Sequence, residues 1–172
     1  MVKLVEVENE EERVIAGGML RCAQEEAGDD PFATPGDTFV WLLENEEGEF
    51  VGVTALHSVN WIHRRARGLL WIEPPHRHKG YGTIALNLRN SLAFSKLNLH
   101  RVEWAIPETS LERLNMAEVN GEVEEGVVED AAWVKGKWVS YHLYRLLSTD
   151  YSEEWRDIKH MHSAMNEEGG KE

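Results

Sequence analysis

Residues 77–83 combine cations and glycines in a pattern that suits the binding of an anionic phosphate group. Ile84, Leu88 and Leu92 then recur four residues apart, which predicts a helix packed on a sheet. Backbone N–H groups at the start of a helix are unpaired, the helix dipole is positive there, and glycine lets a ligand approach the backbone. The segment follows an apolar run, Leu69–Ile72, and reads Arg77-His78-Lys79-Gly80-Tyr81-Gly82-Thr83.

Other phosphate-binding loops do not fit these residues. The segment lacks the GxxxxGK[ST] pattern of a P-loop, and the dinucleotide-binding fingerprint requires a third glycine that is missing. The alternative interpretation is an ordinary strand–helix turn with a solvated basic cluster. His76-x-His78 is a tight histidine pair, but no cysteine pair or His-Glu-x-x-His pattern accompanies it, so we predict no metal site.

The elements around this loop form a strand–helix–strand unit. The apolar run Leu69–Ile72 predicts a strand, a helix continues to about Leu97, and alternation over His100–Ile106 predicts a second strand. A short link after the helix predicts that the two strands are parallel and adjacent. Asn60–Arg67 is predicted to be a basic connection. Further elements are predicted as strands Lys3–Val7, Phe39–Leu43, Phe50–His57, Glu122–Val134 and Lys137–Leu147, and helices Asn9–Ala27 and Leu111–Val119.

Composition excludes several classes of protein. The chain has 172 residues and a formal net charge of −13, which makes nucleic acid a poor partner and favours amines or basic polypeptides. It has no apolar run long enough to cross a membrane and no signal peptide, and its single cysteine fits a reducing cytoplasm. We predict one domain over residues 1–147 and a C-terminal tail, 148–172, that is partly helical and then disordered.

Three segments together resemble the GNAT superfamily of N-acetyltransferases, nearest its ribosomal-protein alanine N-acetyltransferase branch. Arg77-x-x-Gly80-x-Gly82 matches the pyrophosphate loop of that superfamily, Arg/Gln-x-x-Gly-x-Gly/Ala. Leu99–Glu103 resembles its His-Arg-Val-Glu strand, and Glu124–Leu147 resembles its final hairpin. The resemblance and the order of elements predict an α/β (α+β) fold. Its sheet is mixed, twisted and mostly antiparallel, with about six or seven strands and helices on both faces.

The resemblance implies an acetyl-CoA-dependent N-acetyltransferase that uses no metal and acts on a primary amine. The branch suggests a protein N-terminal α-amine as the acceptor. A polyamine or another small amine is the alternative, and a non-catalytic acyl-CoA-binding or interaction module is the alternative of another class. Neither nucleic acid nor a membrane is expected as a partner, and association into a homodimer is left open.

The resemblance also implies roles for individual residues. The diphosphate of coenzyme A would bind Arg77 and the loop His78, Lys79, Gly80, Tyr81, Gly82 and Thr83. A backbone N–H at Trp71 or Ile72 would face the developing oxyanion. Glu103 and Glu73 are the candidate bases, and Tyr144 is the candidate proton donor, although each also suits a structural role. The chain departs from the family between Pro107 and Arg113, where the family's asparagine and serine lack clear counterparts, and at Ala117, where other branches have a tyrosine.

Overall fold

The computed structural model describes residues 1–151 and contains seven strands, three α-helices and a short 3₁₀ helix. Their bounds are β1 (Val2–Glu6), α1 (Glu10–Ala27), β2 (Asp37–Asn45), β3 (Phe50–Asn60), β4 (Arg65–Ile72), the 3₁₀ helix (Pro74–His76), α2 (Tyr81–Ser95), β5 (Arg101–Pro107), α3 (Leu111–Val119), β6 (Val123–Val134) and β7 (Lys137–Leu147).

All seven strands form one mixed sheet in the order β1-β2-β3-β4-β5-β7-β6. The β4–β5 pair is parallel and every other neighbouring pair is antiparallel. The predicted mostly antiparallel sheet and the predicted parallel strand–helix–strand unit are therefore confirmed. The β4–β5 pair is parallel because α2 crosses over from the end of β4 and returns the chain to the start of β5.

Helices α1 and α2 cover opposite faces of the sheet. Alternate residues of a strand point to opposite faces, and the neighbours Leu42 and Leu43 show this division. Leu42 belongs to the cluster that contains Met19 of α1, whereas Leu43 packs with Ala85 of α2. Helix α1 starts with a capping box, in which the Asn9 side chain accepts from the Glu12 N–H and the Glu12 carboxylate accepts from the Asn9 N–H. The prediction of helices on both faces is confirmed.

The basic segment Asn60–Arg67 is not the connection that was predicted. Strand β3 runs to Asn60 and β4 already begins at Arg65, so a short turn joins them. Arg65 and Arg67 are strand residues because they pair with β3 on one side and with Arg101 and Glu103 of β5 on the other. In the sequence, two arginines are not expected in a buried strand. In the structure they form ion pairs with carboxylates of neighbouring elements.

Two further features concern the character of the helices and the C-terminal tail. Within residues 1–151, no helix combines the length and the apolar character needed to cross a membrane. The helix and the disorder predicted for the tail fall mainly beyond residue 151, outside the described residues. Up to that point the chain makes turns after β7, and the buried Tyr151 ring packs against Phe94 of α2.

Candidate active site

A cleft opens in the middle of the sheet because β4 and β5 separate. The two strands pair only at Arg65–Arg101, Ala66–Val102 and Arg67–Glu103, although β4 continues to Ile72 and β5 to Pro107. Beyond that point each strand keeps its partner on the other side, β3 or β7. The cavity between them has a volume of about 980 Å³ and is lined by β4, β5, the start of α2, the end of α1 and α3.

The backbone of β4 presents an N–H group to this cleft at Ile72. The Glu73 N–H donates to the Val51 carbonyl oxygen of β3, and Trp71 pairs with Val53 in the same ladder. Alternate residues of a strand direct their backbone groups to the same neighbouring strand. The Trp71 N–H therefore also points to β3, whereas the Ile72 N–H points into the gap. Of the two predicted oxyanion positions, the geometry therefore favours Ile72, and Trp71 contributes its side chain to the cleft.

The glycine loop lies at one end of the cleft. Gly80 is the N-cap of α2, has a left-handed φ of 79°, and makes no side-chain capping hydrogen bond. A Cβ atom on Gly80 would meet nothing within 4 Å, whereas one on Gly82 would lie 3.3 Å from Met116 Sδ. The first N–H groups of α2 are therefore open to an incoming anion. The loop residues that line the cleft are Arg77, His78, Gly80, Tyr81, Gly82 and Thr83, while Lys79 does not line it.

Arg77 crosses the mouth of the cleft. Its Nη2 donates to Glu26 Oε2 of α1 at 2.6 Å and its Nε donates to the Ile72 carbonyl oxygen at 3.0 Å. Trp71 Nε1 also donates to Glu26, at 3.0 Å. The hydrogen bond to Arg77 is the main reason that the pKa of Glu26 is lowered, and the same contact raises the pKa of Arg77. Glu26 thus joins α1 to the loop, a contact that the sequence did not indicate.

The three candidate catalytic side chains do not line the cleft. Glu103 Oε1 accepts from Arg101 at 2.5 Å, and its Oε2 accepts from Arg67 at 3.3 Å. The buried Tyr144 donates its hydroxyl proton to Glu124, and burial is the first cause that raises its pKa. Glu73 connects β4 to the 3₁₀ helix through its backbone. The structure therefore groups Trp71 and Ile72 with the loop around the cleft, whereas Glu73, Glu103 and Tyr144 lie outside its lining, and their catalytic roles stay predictions.

Acidic residues line the cleft at the end of α1 and in the loop after it, from Glu26 beside Arg77 to Asp30. Asp30 accepts from Arg67 Nε at 2.5 Å and lies 3.8 Å from His57 Nε2. Burial, the largest cause, lowers the pKa of His57, so this ring is neutral near pH 7. Asp29 lines the same cavity and makes no ion pair with any residue from 1 to 151. We call Glu26, Asp29 and Asp30 the acidic rim.

Tyr141 also lines this part of the cleft. Its hydroxyl donates to the Ala27 carbonyl oxygen at 3.2 Å, and burial, followed by Asp30 and Asp29, raises its pKa. Gly28, Asp29 and Asp30, in the loop that follows α1, line the cleft beside it. Tyr141 itself was missed because β7 brings it to the site from more than a hundred residues away.

Comparisons with known proteins agree with this architecture. A model of the acetyltransferase (GNAT) domain family matches residues 10–121. Spermidine N(1)-acetyltransferase of Vibrio cholerae is 25% identical over 111 residues, which is 64% of each chain. The putative ribosomal N-acetyltransferase YdaF of Bacillus subtilis is 28% identical over 108 residues, 63% of this chain and 59% of that protein. The alignments thus cover less than two thirds of either relative.

Solved structures show the same fold. The spermidine N-acetyltransferase from Vibrio cholerae in complex with CoA and spermine has a TM-score of 0.76 and 21% identity, over 87% of this chain and 97% of that one. A dodecameric structure of the Vibrio cholerae enzyme in an intermediate state has a TM-score of 0.74 and 20% identity, over 89% and 97%.

Proposed function

Because the chain belongs to the GNAT acetyltransferase family, we propose that it transfers an acetyl group from acetyl-CoA to a primary amine of a polyamine. Bound in the cleft, acetyl-CoA would supply an activated acetyl thioester. The observation that carries the proposal is the cleft itself, which is lined both by an open helix N-terminus and by the acidic rim. The helix N-terminus suits a diphosphate and the acidic rim suits a cationic amine.

The loop residues fit the diphosphate of coenzyme A. Free N–H groups at the start of α2 and the open space above Gly80 let an anion approach the backbone. Arg77 lies at the same end and would add a charged donor. The Ile72 N–H points into the gap between β4 and β5, where a carbonyl oxygen of the acyl group would accept from it. Each of these roles is a proposal about residues that line one cavity.

The acidic rim favours an acceptor with several positive charges. Glu26 and Asp30 are already paired with Arg77 and Arg67, so Asp29 is the rim carboxylate without an ion pair in the described part of the chain. A polyamine presents ammonium groups along a flexible chain: one would pair with Asp29, and another would use the acceptor sites that Glu26 and Asp30 do not share with the arginines. The Vibrio cholerae relative named for spermidine supports this acceptor, which was the alternative interpretation of the sequence.

The second candidate acceptor is a protein N-terminal α-amine, the first expectation from the sequence. It is supported by the similarity to a putative ribosomal N-acetyltransferase. A protein N-terminus carries one ammonium group, so it would use less of the acidic rim. The two acceptors therefore predict different effects when a rim carboxylate is neutralised.

Release of free thiol from acetyl-CoA tests the proposal. Spermidine, spermine and a peptide with an N-terminal alanine would be compared as acceptors, and we expect kcat/KM for spermidine to exceed that for the peptide by about tenfold, the value of one additional charged contact. Asp29→Asn should raise KM for spermidine by about tenfold and change KM for the peptide little. Glu11→Gln, which makes the same change of charge on α1 away from the cleft, serves as the control.

Two outcomes would contradict the proposal. Faster turnover of the peptide than of spermidine would assign the protein N-terminus as the acceptor. Coenzyme A binding without thiol release on any amine would favour the non-catalytic module.

A further inference from the structure

Arg113 places a guanidinium on the inner wall of the cleft. It belongs to the first turn of α3, and its side chain is 15% exposed and lines the cavity. Its Nη2 donates to both carboxylate oxygens of Glu122, at 3.1 and 2.9 Å. Its Nη1 is buried and has no hydrogen-bond partner among residues 1–151. A buried donor without a partner is costly, so an acceptor is expected to occupy this position when the cleft is filled.

Arg113 and Met116 lie one turn apart on α3, and both line the cleft. Met116 is one turn after Arg113 and lies against Gly82, because a Cβ atom there would be 3.3 Å from Met116 Sδ. The guanidinium of Arg113 instead lies over the Trp104 ring of β5, 5.6 Å from its centroid. A ligand with its phosphates at the start of α2 would lie beside Met116, and Arg113 and Trp104 line the same cleft.

Two guanidiniums lie against the Trp104 ring, which lines the cleft. Arg89 of α2 is fully buried and lies over the same ring, 5.1 Å from its centroid, and it has no carboxylate partner within residues 1–151. Burial lowers the pKa of Arg89 to about 9, so the guanidinium stays charged at neutral pH. Burial also raises the pKa of Glu122, and Arg113 opposes that shift. Two guanidiniums thus lie beside one carboxylate, because Glu122 pairs with Arg113 and no carboxylate of residues 1–151 pairs with Arg89.

We propose that Arg113 stabilises the sulfur of coenzyme A as a thiolate. This inference rests on the proposed function. In the transfer, the amine nitrogen forms a bond to the acetyl carbon, the carbon–sulfur bond breaks, and sulfur leaves with the electron pair while the amine proton passes to solvent. A negative charge then appears on sulfur, and a fixed guanidinium beside it lowers the energy of that state. Arg89 lies over the same Trp104 ring and adds positive charge nearby without lining the cleft.

A purely structural role would leave the ionisation of bound coenzyme A unchanged, and this difference can be measured. A thiol with a pKa of about 8.5 is mostly protonated near pH 7.5, and a cation at contact distance lowers such a pKa by about 1–3 units. Binding of free coenzyme A should then release about half a proton or more. Calorimetry in two buffers with different ionisation enthalpies gives this number, and desulfo-coenzyme A, which lacks the sulfur, corrects for protons released by the protein.

Three variants distinguish stabilisation of the thiolate from a purely structural role of Arg113. Arg113→Gln should abolish the difference in proton release between the two ligands, Arg113→Lys should keep it, and Arg13→Gln on exposed α1 should match the original chain. If Arg113→Gln does not fold because Glu122 is left buried and unpaired, Arg113→Gln with Glu122→Gln removes both charges together.

Equal proton release with coenzyme A and desulfo-coenzyme A in the original chain would overturn the thiolate role alone. Unchanged release in the Arg113→Gln variant, or in the double variant, would do the same. Absence of any heat with either ligand would overturn the proposed function, and the thiolate role would fall with it.

Discussion

Replacing Gly68 by alanine is expected to destabilise the protein, because no room exists for a methyl group beside the floor of the cleft. Gly68 is the first residue of β4 after its pairing with β5 ends. A Cβ atom there would lie 2.5 Å from Trp104 Nε1 and 2.9 Å from Arg89 Nη1. Trp104 is 3% exposed and Arg89 is fully buried, so neither side chain can move into solvent to relieve the contact.

Two opposing effects set the magnitude. Gly68 does not have a positive φ, so alanine can adopt its backbone conformation, and the loss of unfolded-state entropy would stabilise the fold by about 0.4–1 kcal/mol. Overpacking of a buried site costs about 1–3 kcal/mol, and a contact as short as 2.5 Å belongs at the upper end of that range. We therefore expect a net loss of about 2–2.6 kcal/mol in the free energy of unfolding.

Urea unfolding followed by tryptophan fluorescence measures this loss. With an m-value of about 2 kcal/mol/M, the midpoint of Gly68→Ala should fall by about 1–1.3 M. Gly18→Ala in α1 is the matched control, since its Cβ would meet nothing within 4 Å, and a better helix former should raise the stability by about 1 kcal/mol. A midpoint for Gly68→Ala equal to or above that of the original chain would refute the packing argument.

Further predictions concern binding, the buried ion pair and pH. Gly82→Trp should weaken coenzyme A binding by at least about tenfold in calorimetry while circular dichroism stays unchanged, because the new side chain would fill the cleft beside Met116; unaltered affinity would contradict the loop assignment. Arg113→Met should lower the free energy of unfolding by about 3–5 kcal/mol, because Glu122 is left buried without its partner. The double variant with Glu122→Met should recover most of the lost stability in urea titrations. No recovery would contradict the pairing. Burial lowers the pKa of His57 in the folded chain. As the pH falls, the unfolded chain therefore binds a proton at this residue before the folded chain does, and stability should fall below about pH 6.5. His57→Gln should flatten that part of the stability–pH curve, and an identical curve would contradict this.

Local patterns in the sequence were sufficient for the elements and for the loop. The alternation of Val102, Trp104 and Ile106 predicted β5, and all three side chains are buried. The glycines of the loop and the apolar stripe after them predicted the start of α2 and the anion-binding end of the cleft. These features depend on residues within about four positions of each other, where periodicity and capping act.

Only the tertiary structure decided which side chains meet. Arg67 and Glu103 are far apart in the chain, and the register of the parallel pair brings them together, so a candidate base became part of an ion-pair network. Arg113 showed no signal in the sequence, because its place on the cleft wall depends on how α3 packs against Trp104. The reason is physical: hydrophobic spacing fixes which face of an element is buried, whereas the order of strands and the point where two of them separate fix what that face contacts.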